Sequence, residues 1–260
     1  MTPDAAPLWK RLPADWTGQL AACLARADAT GPSARTVYFR ADDVAVPGTR
    51  FEQLAALFRR HGVPLGLAVV PAWLTPARWQ ALGRATAADQ DLWCWHQHGW
   101  RHANHEVRGK KQEFGPSRTA EALAGDLARG RRKLEALMGR AFQPIFTPPW
   151  NRCSANTLAL LAEMGYKAVS RSRGSQPPAP PGLADLAMDV DLHTGRAASA
   201  AQGWGRLTAA LTTGLSRPLC GIMIHHQRMT PAAFVFLDRL LAMLRRRARI
   251  RLADLRDLTA

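Results

Sequence analysis

At 260 residues, 47% of them hydrophobic, the chain is long enough to bury a substantial core, and no apolar stretch is long enough to cross a bilayer. The formal net charge is +15, but thirty of the 35 basic residues are arginines scattered among alanines. Only Arg245, Arg246, Arg247 and Arg249 cluster, at the end of a helical pattern where cations favour the dipole, so the charge reads as solvated surface and not as a nucleic-acid or membrane footprint.

Residues 1–30 read as a helical N-terminal extension with three prolines, Asp4, Lys10 and Arg11 and no apolar signal core, which predicts a cytoplasmic location. Residues 31–260 read as a single domain. Cys23, Cys94, Cys153 and Cys220 lie apart in apolar segments and are expected to be buried free thiols. Residues 36–40 read as a strand leading into Asp42-Asp43, and helical periodicity over 50–61 is closed by Gly62. A second strand is expected over 63–70, a short helix from Pro76, and a third strand over 91–96. The longest helix pattern covers 117–138, with Gly139 beyond its end.

Residues 142–146 then read as a strand before Thr147-Pro148-Pro149-Trp150, and 154–164 as a helix before Gly165. Short strands at 167–170 and 186–190 flank the proline-rich stretch 171–182, an irregular loop. A helix at 204–215 precedes a strand at 219–224, which leads into His225-His226. Thr230 and Pro231 suit the cap and first residue of the next helix, and 250–252 reads as a last strand. Repeated β–α units predict parallel strands with right-handed crossovers. The polar motifs all follow apolar runs, at the C-terminal strand ends that converge in a barrel, so the predicted fold is a distorted (β/α) barrel.

Those motifs carry the chemistry. Along a strand Asp42 and Asp43 face opposite ways, so one can meet a metal ion while the other takes a proton. Arg40 shares a face with Asp42 and can supply the cation that keeps it ionised. His98 and His102, four residues apart, can join a carboxylate around a divalent ion with a position left open for water. Half of the histidines crowd into ten residues here, with His96 and His105 read as hydrogen-bonding partners or pocket wall. Trp93, Trp95, Trp100, Trp150 and Trp204 suit either a sugar-stacking wall or the core.

In their order and spacing, from about residue 36 to residue 226, these segments resemble the polysaccharide deacetylase family with its NodB-homology domain. Members hydrolyse N-acetyl, less often O-acetyl, groups on carbohydrates, using a metal ion in a distorted (β/α) barrel. The resemblance implies that Asp42 is the general base, that Asp43, His98 and His102 hold a divalent ion, most simply zinc, and that His225, in Met223-Ile224-His225, is the acid. It gives the backbone N–H of Trp150 a place at the oxyanion. Asn151, Asp189, Asp191, His105 and His226 join Arg40 as supporting or substrate-binding candidates. There are three departures. Thr147 stands where the family has an arginine paired with the base, Asp189-Val190-Asp191-Leu192-His193 matches the acidic fourth motif loosely, and His225-His226 stands where many members have His-Asp. Two other functions compete: an amidase acting on a small non-sugar amide through the same site, and a basic binding protein without catalysis.

Overall fold

The structure, a computed structural model, describes residues 5–259, so the first four residues of the expected N-terminal extension lie outside the described residues. Its elements run α1 (Trp16–Thr30), β1 (Arg35–Val44), α2 (Thr49–His61), β2 (Leu65–Val69), α3 (Pro76–Ala85), β3 (Trp93–His98), α4 (Ala120–Met138) and β4 (Phe142–Thr147). Then follow α5 (Ala155–Glu163), β5 (Ala168–Ser172), β6 (Ala184–Asp191), α6 (Ala200–Leu215), β7 (Leu219–Ile224), α7 (Pro231–Arg245) and β8 (Ile250–Leu252). The strand order is β2-β3-β4-β5-β6-β7-β1-β8, and β2 also pairs with β1, so seven parallel strands close into the distorted (β/α) barrel that the β–α alternation predicts. β8 pairs with residues 35–37 of β1.

Local chemistry explains the element ends. The side chains of Thr75, Thr119, Ser154, Ser199 and Thr230 each accept the N–H three residues on, capping α3, α4, α5, α6 and α7. Capping by Thr119 starts α4 three residues later than periodicity suggests, and capping by Ser199 starts α6 four residues earlier. Gly62, at φ +57°, ends α2 in the left-handed conformation that glycine adopts without strain. β1 runs past residue 40 through both aspartates to Val44, whose carbonyl accepts the N–H of Val70 at 2.9 Å. β2 and β3 are buried at every residue, as expected of parallel strands covered on both faces.

The chain divides into two compact units. The first comprises Met1–Ala41, Gly48–Leu65 and Asp189–Asp254. In it, α1 lies against α6, where Trp204 Nε1 donates to Gln19 Oε1 at 2.5 Å. Phe236 of α7 gathers the rings of Trp9, Trp16 and Trp204 within 5.2–6.0 Å, so residues 7–30 contribute directly to this core. The second comprises Asp42–Pro47, Gly66–Met188 and Leu255–Ala260. Phe114, Phe146 and Tyr166 pack edge to face at its centre, with Leu123 and Leu127 of α4 beside them. All four cysteines are buried, and none of them forms a disulfide. No helix among the described residues is long and apolar enough to cross a membrane.

Candidate metal centre

Three of the expected site residues, Asp43, His98 and His102, meet within the second unit. β1 carries Asp42 and Asp43, β3 ends on His98, and the following loop carries His102, so the four-residue spacing is bridged by a loop and not by a helical turn. Asp43 Oδ1 lies 3.3 Å from His98 Nε2 and 3.3 Å from His102 Nε2, and the three ligand atoms fall within 4.8 Å of one another. A tetrahedron with metal–ligand bonds of about 2.0–2.1 Å has edges of about 3.3–3.4 Å, so two edges of a tetrahedral site are already in place.

The donor chemistry agrees. His98 Nδ1–H donates to the Thr147 carbonyl at 2.9 Å, and since a carbonyl only accepts, the lone pair of Nε2 faces Asp43. Lone pair against carboxylate is repulsive unless a proton or a cation lies between them. Burial alone would lower the pKa of His98, but the hydrogen bond to Asp43 and the charges of Asp42 and Asp43 outweigh it and raise the pKa. Burial, then the neighbouring His98, push His102 down to about 4. A proton satisfies one imidazole at a time; a divalent ion satisfies all three donors together. Asp43, His98 and His102 therefore fit a metal ion.

The backbone is strained where these donors sit. Among the described residues other than glycine, five have positive φ, and four of them are here: Asp43 (+59°), His102 (+59°), Trp150 (+55°) and Asn151 (+59°). Each such residue costs on the order of 1–3 kcal/mol, which the surrounding bonds must offset. The buried Glu113 carboxylate accepts the N–H of Trp100 at 3.1 Å and of Arg101 at 2.6 Å. Gln97 Nε2 donates to the Gly99 carbonyl at 3.0 Å, and its Oε1 accepts the Tyr166 hydroxyl at 2.5 Å. Sequence reasoning missed Glu113, Gln97 and Tyr166. Glu113 follows Lys110-Lys111 and looks like surface charge, and its partners here are backbone amides that no motif records.

Thr147, in the place of the family's arginine, ties two histidines together: its carbonyl accepts from His98, and its hydroxyl donates to His96 Nε2 at 3.0 Å. His96 donates from Nδ1 to the Cys94 carbonyl at 3.1 Å, which leaves Nε2 as the acceptor. Trp150 lies against His102 with ring centroids 4.4 Å apart. His105 is exposed and outside the three-donor group. Trp93, Trp95, Trp100 and Trp204 are all buried, which makes them core and removes the stacking-wall reading for them. Trp150 alone of the five is partly exposed.

The other candidates belong to the first unit. Arg40 is fully buried, with Nη2 3.1 Å from Met223 Sδ. Asp189 accepts the N–H of Gly221 at 3.1 Å and pairs with Arg217 at 3.4 Å, while Asp191 accepts the N–H of His193 and of Thr194 at 3.0 and 2.9 Å. Both carboxylates thus hold local backbone. His225 is partly exposed and its N–H donates to His193 Nδ1 at 3.1 Å, whereas His226 is buried with its ring edge-on to Phe51 at 5.7 Å. Burial, then the charges of His225, His226 and Arg228, hold His193 well below the ordinary imidazole range.

The family model for polysaccharide deacetylases matches residues 29–169. Among solved structures, a provisionally assigned polysaccharide deacetylase from Mycobacterium smegmatis superimposes with a TM-score of 0.64 at 16% identity, covering 88% of this chain and 90% of that one. A CE4 family pseudoenzyme from Bacillus anthracis gives 0.57 at 12% identity, covering 88% and 66%. A family 4 acetyl xylan esterase from Clostridium thermocellum, in complex with a cobalt ion, gives 0.57 at 12%, covering 85% and 89%. At these identities the structures show a shared fold. No curated protein matches the chain.

Proposed function

The chain belongs to the polysaccharide deacetylase family, and from that premise we propose that it is a metal-dependent hydrolase removing acetyl groups, N-acetyl foremost, from a carbohydrate. The observation that carries this reading is the approach of Asp43 Oδ1 to within 3.3 Å of two imidazole nitrogens, one with its lone pair set by Thr147. Asp43, His98 and His102 would hold the ion. When bound, it supplies Lewis acidity, lowering the pKa of water and polarising the acyl carbonyl; two nitrogens and one carboxylate oxygen suit zinc first and other first-row ions as well.

Asp42 then takes the proton of the attacking water. The Trp150 N–H supports the developing oxyanion, and His225 gives a proton to the departing amine. The partial exposure of His225 and the burial of His226 favour His225 for a task that needs contact with substrate. Buried cysteines outside any disulfide suit a reducing compartment such as the cytoplasm.

The decisive experiment joins elemental analysis of reconstituted protein with an acetate-release screen over acetylated sugars and non-sugar amides. One divalent ion per chain and release from a sugar are expected. Asp42→Asn should keep the ion and lose most turnover, because an amide cannot take the proton; near-wild-type turnover would assign the base elsewhere. Turnover of non-sugar amides alone would favour the amidase. The B. anthracis pseudoenzyme and Thr147 favour a second reading, a basic binding protein. That one predicts glycan or nucleic-acid binding that weakens with salt and ignores chelator.

A further inference from the structure

β6 runs on beyond its last regular residue beside β7, so that the Leu192 N–H donates to the Met223 carbonyl at 3.1 Å. In a parallel ladder the next bond in that register runs from the N–H of His225 to the carbonyl of Leu192. Here that carbonyl receives the indole N–H of Trp9 at 2.7 Å, and the His225 N–H donates instead to His193 Nδ1 at 3.1 Å. A ring nitrogen thus carries the ladder one bond past its end, at the residue where the chain leaves the strand for a 3-10 turn over His226–Arg228.

The ring that does this is firmly held. His193 is 2% exposed, and the Trp9 ring lies 5.5 Å away, tilted by 43°. Trp9 is itself fixed, its carbonyl accepting the Thr230 hydroxyl at 2.6 Å. Because Nδ1 accepts, a neutral His193 carries its proton on Nε2, which has no hydrogen-bond partner among the described residues. His225 Nδ1 also has none among them, so the backbone, and not a side-chain bond to that nitrogen, aims the His225 ring.

We propose that His193, buried beneath Trp9, is a positioning residue for His225: by accepting its backbone N–H it sets where the imidazole stands. This rests on the reading of His225 as the proton donor. It also gives residues before β1 a part in catalysis, through Trp9.

The test uses the full metal-loaded chain on the acetylated sugar it turns over fastest. His225→Gln should abolish most turnover. His193→Leu should lower kcat by about 10- to 100-fold with KM and metal content unchanged, the scale of a small misplacement of a catalytic group. His193→Asn, whose amide oxygen can stand near the place of Nδ1, should restore most of kcat. Wild-type kcat in His193→Leu beside an inactive His225→Gln overturns the positioning role and leaves His225 standing, and so does an Asn variant as slow as the Leu one. Wild-type kcat in His225→Gln removes the proton-donor reading and this proposal with it. Nitrogen-15 NMR of the wild-type imidazoles tests the bond without any variant. His193 should hold the Nε2–H tautomer and stay neutral through the range in which an ordinary imidazole titrates, and an Nδ1–H tautomer or a ring that titrates there overturns the proposal.

Discussion

A fully buried guanidinium needs polar or anionic company, and Arg40 is buried completely. Alternation along β1 puts it on the face of Asp42, and the family's usual arginine is absent at Thr147, so Arg40 is the cation we assign to keeping Asp42 ionised and oriented. Arg40→Ala should therefore lower kcat with metal content intact and shift the acidic limb of the pH–rate profile upward, because Asp42 without that cation holds its proton to higher pH. An unmoved limb in a folded variant discards the assignment. At this scale Asp43, His98 and His102 were legible because carboxylate and imidazole are donors wherever they stand. The work of Thr147 was not, since a threonine looks like a lost arginine until its carbonyl and hydroxyl are seen on His98 and His96.

The element that matters most is the turn after β3. Gly99 has φ +58°, and a Cβ there would collide with the Glu113 carboxylate and with Pro149. Gly99→Ala should add about 1–2 kcal/mol of backbone strain as well as displacing Glu113. The predicted result is weaker metal binding by calorimetry and a Tm lower by at least about 2 °C. Gly165→Ala is the control: φ is +71°, but nothing lies within 4 Å of the added carbon, so it should cost stability and leave metal affinity unchanged. Equal affinity losses in both would show that strain alone, and not the Glu113 cradle, is at work. Helices and strands were readable from periodicity and caps because those are local. The turn was not: Gly99 in His98-Gly99-Trp100 reads as an ordinary loop glycine until Glu113 folds back onto it.

For the molecule as a whole, a bound ion should appear as stability that depends on pH. The ion needs His98 and His102 neutral, so it competes with protons. His98 has a raised pKa, so in ion-free protein its contribution to stability is full below the unfolded imidazole pKa and is lost as pH rises through the folded value. His102, lowered to about 4, works the other way, its contribution present above the ordinary imidazole range and lost as pH falls toward about 4. Metal at a hundredfold excess over Kd adds about 2.7 kcal/mol. The metal-dependent rise in Tm, from scans with and without chelator, should therefore grow from about pH 5 to pH 8 as His98 gives up its proton. A rise independent of pH would place the ion elsewhere. The sequence by itself determined the β–α alternation, the parallel closed sheet and the kinds of donor at its strand ends, because periodicity, caps and side-chain chemistry are local properties. Only the tertiary structure decided that a loop, and not a helical turn, brings His102 beside His98, that Glu113 and the Tyr166-bonded Gln97 hold that loop, and that the His225 N–H reaches His193 Nδ1. Those assignments run largely through backbone N–H and C=O groups that are the same at every position, and they join residues that only folding brings together.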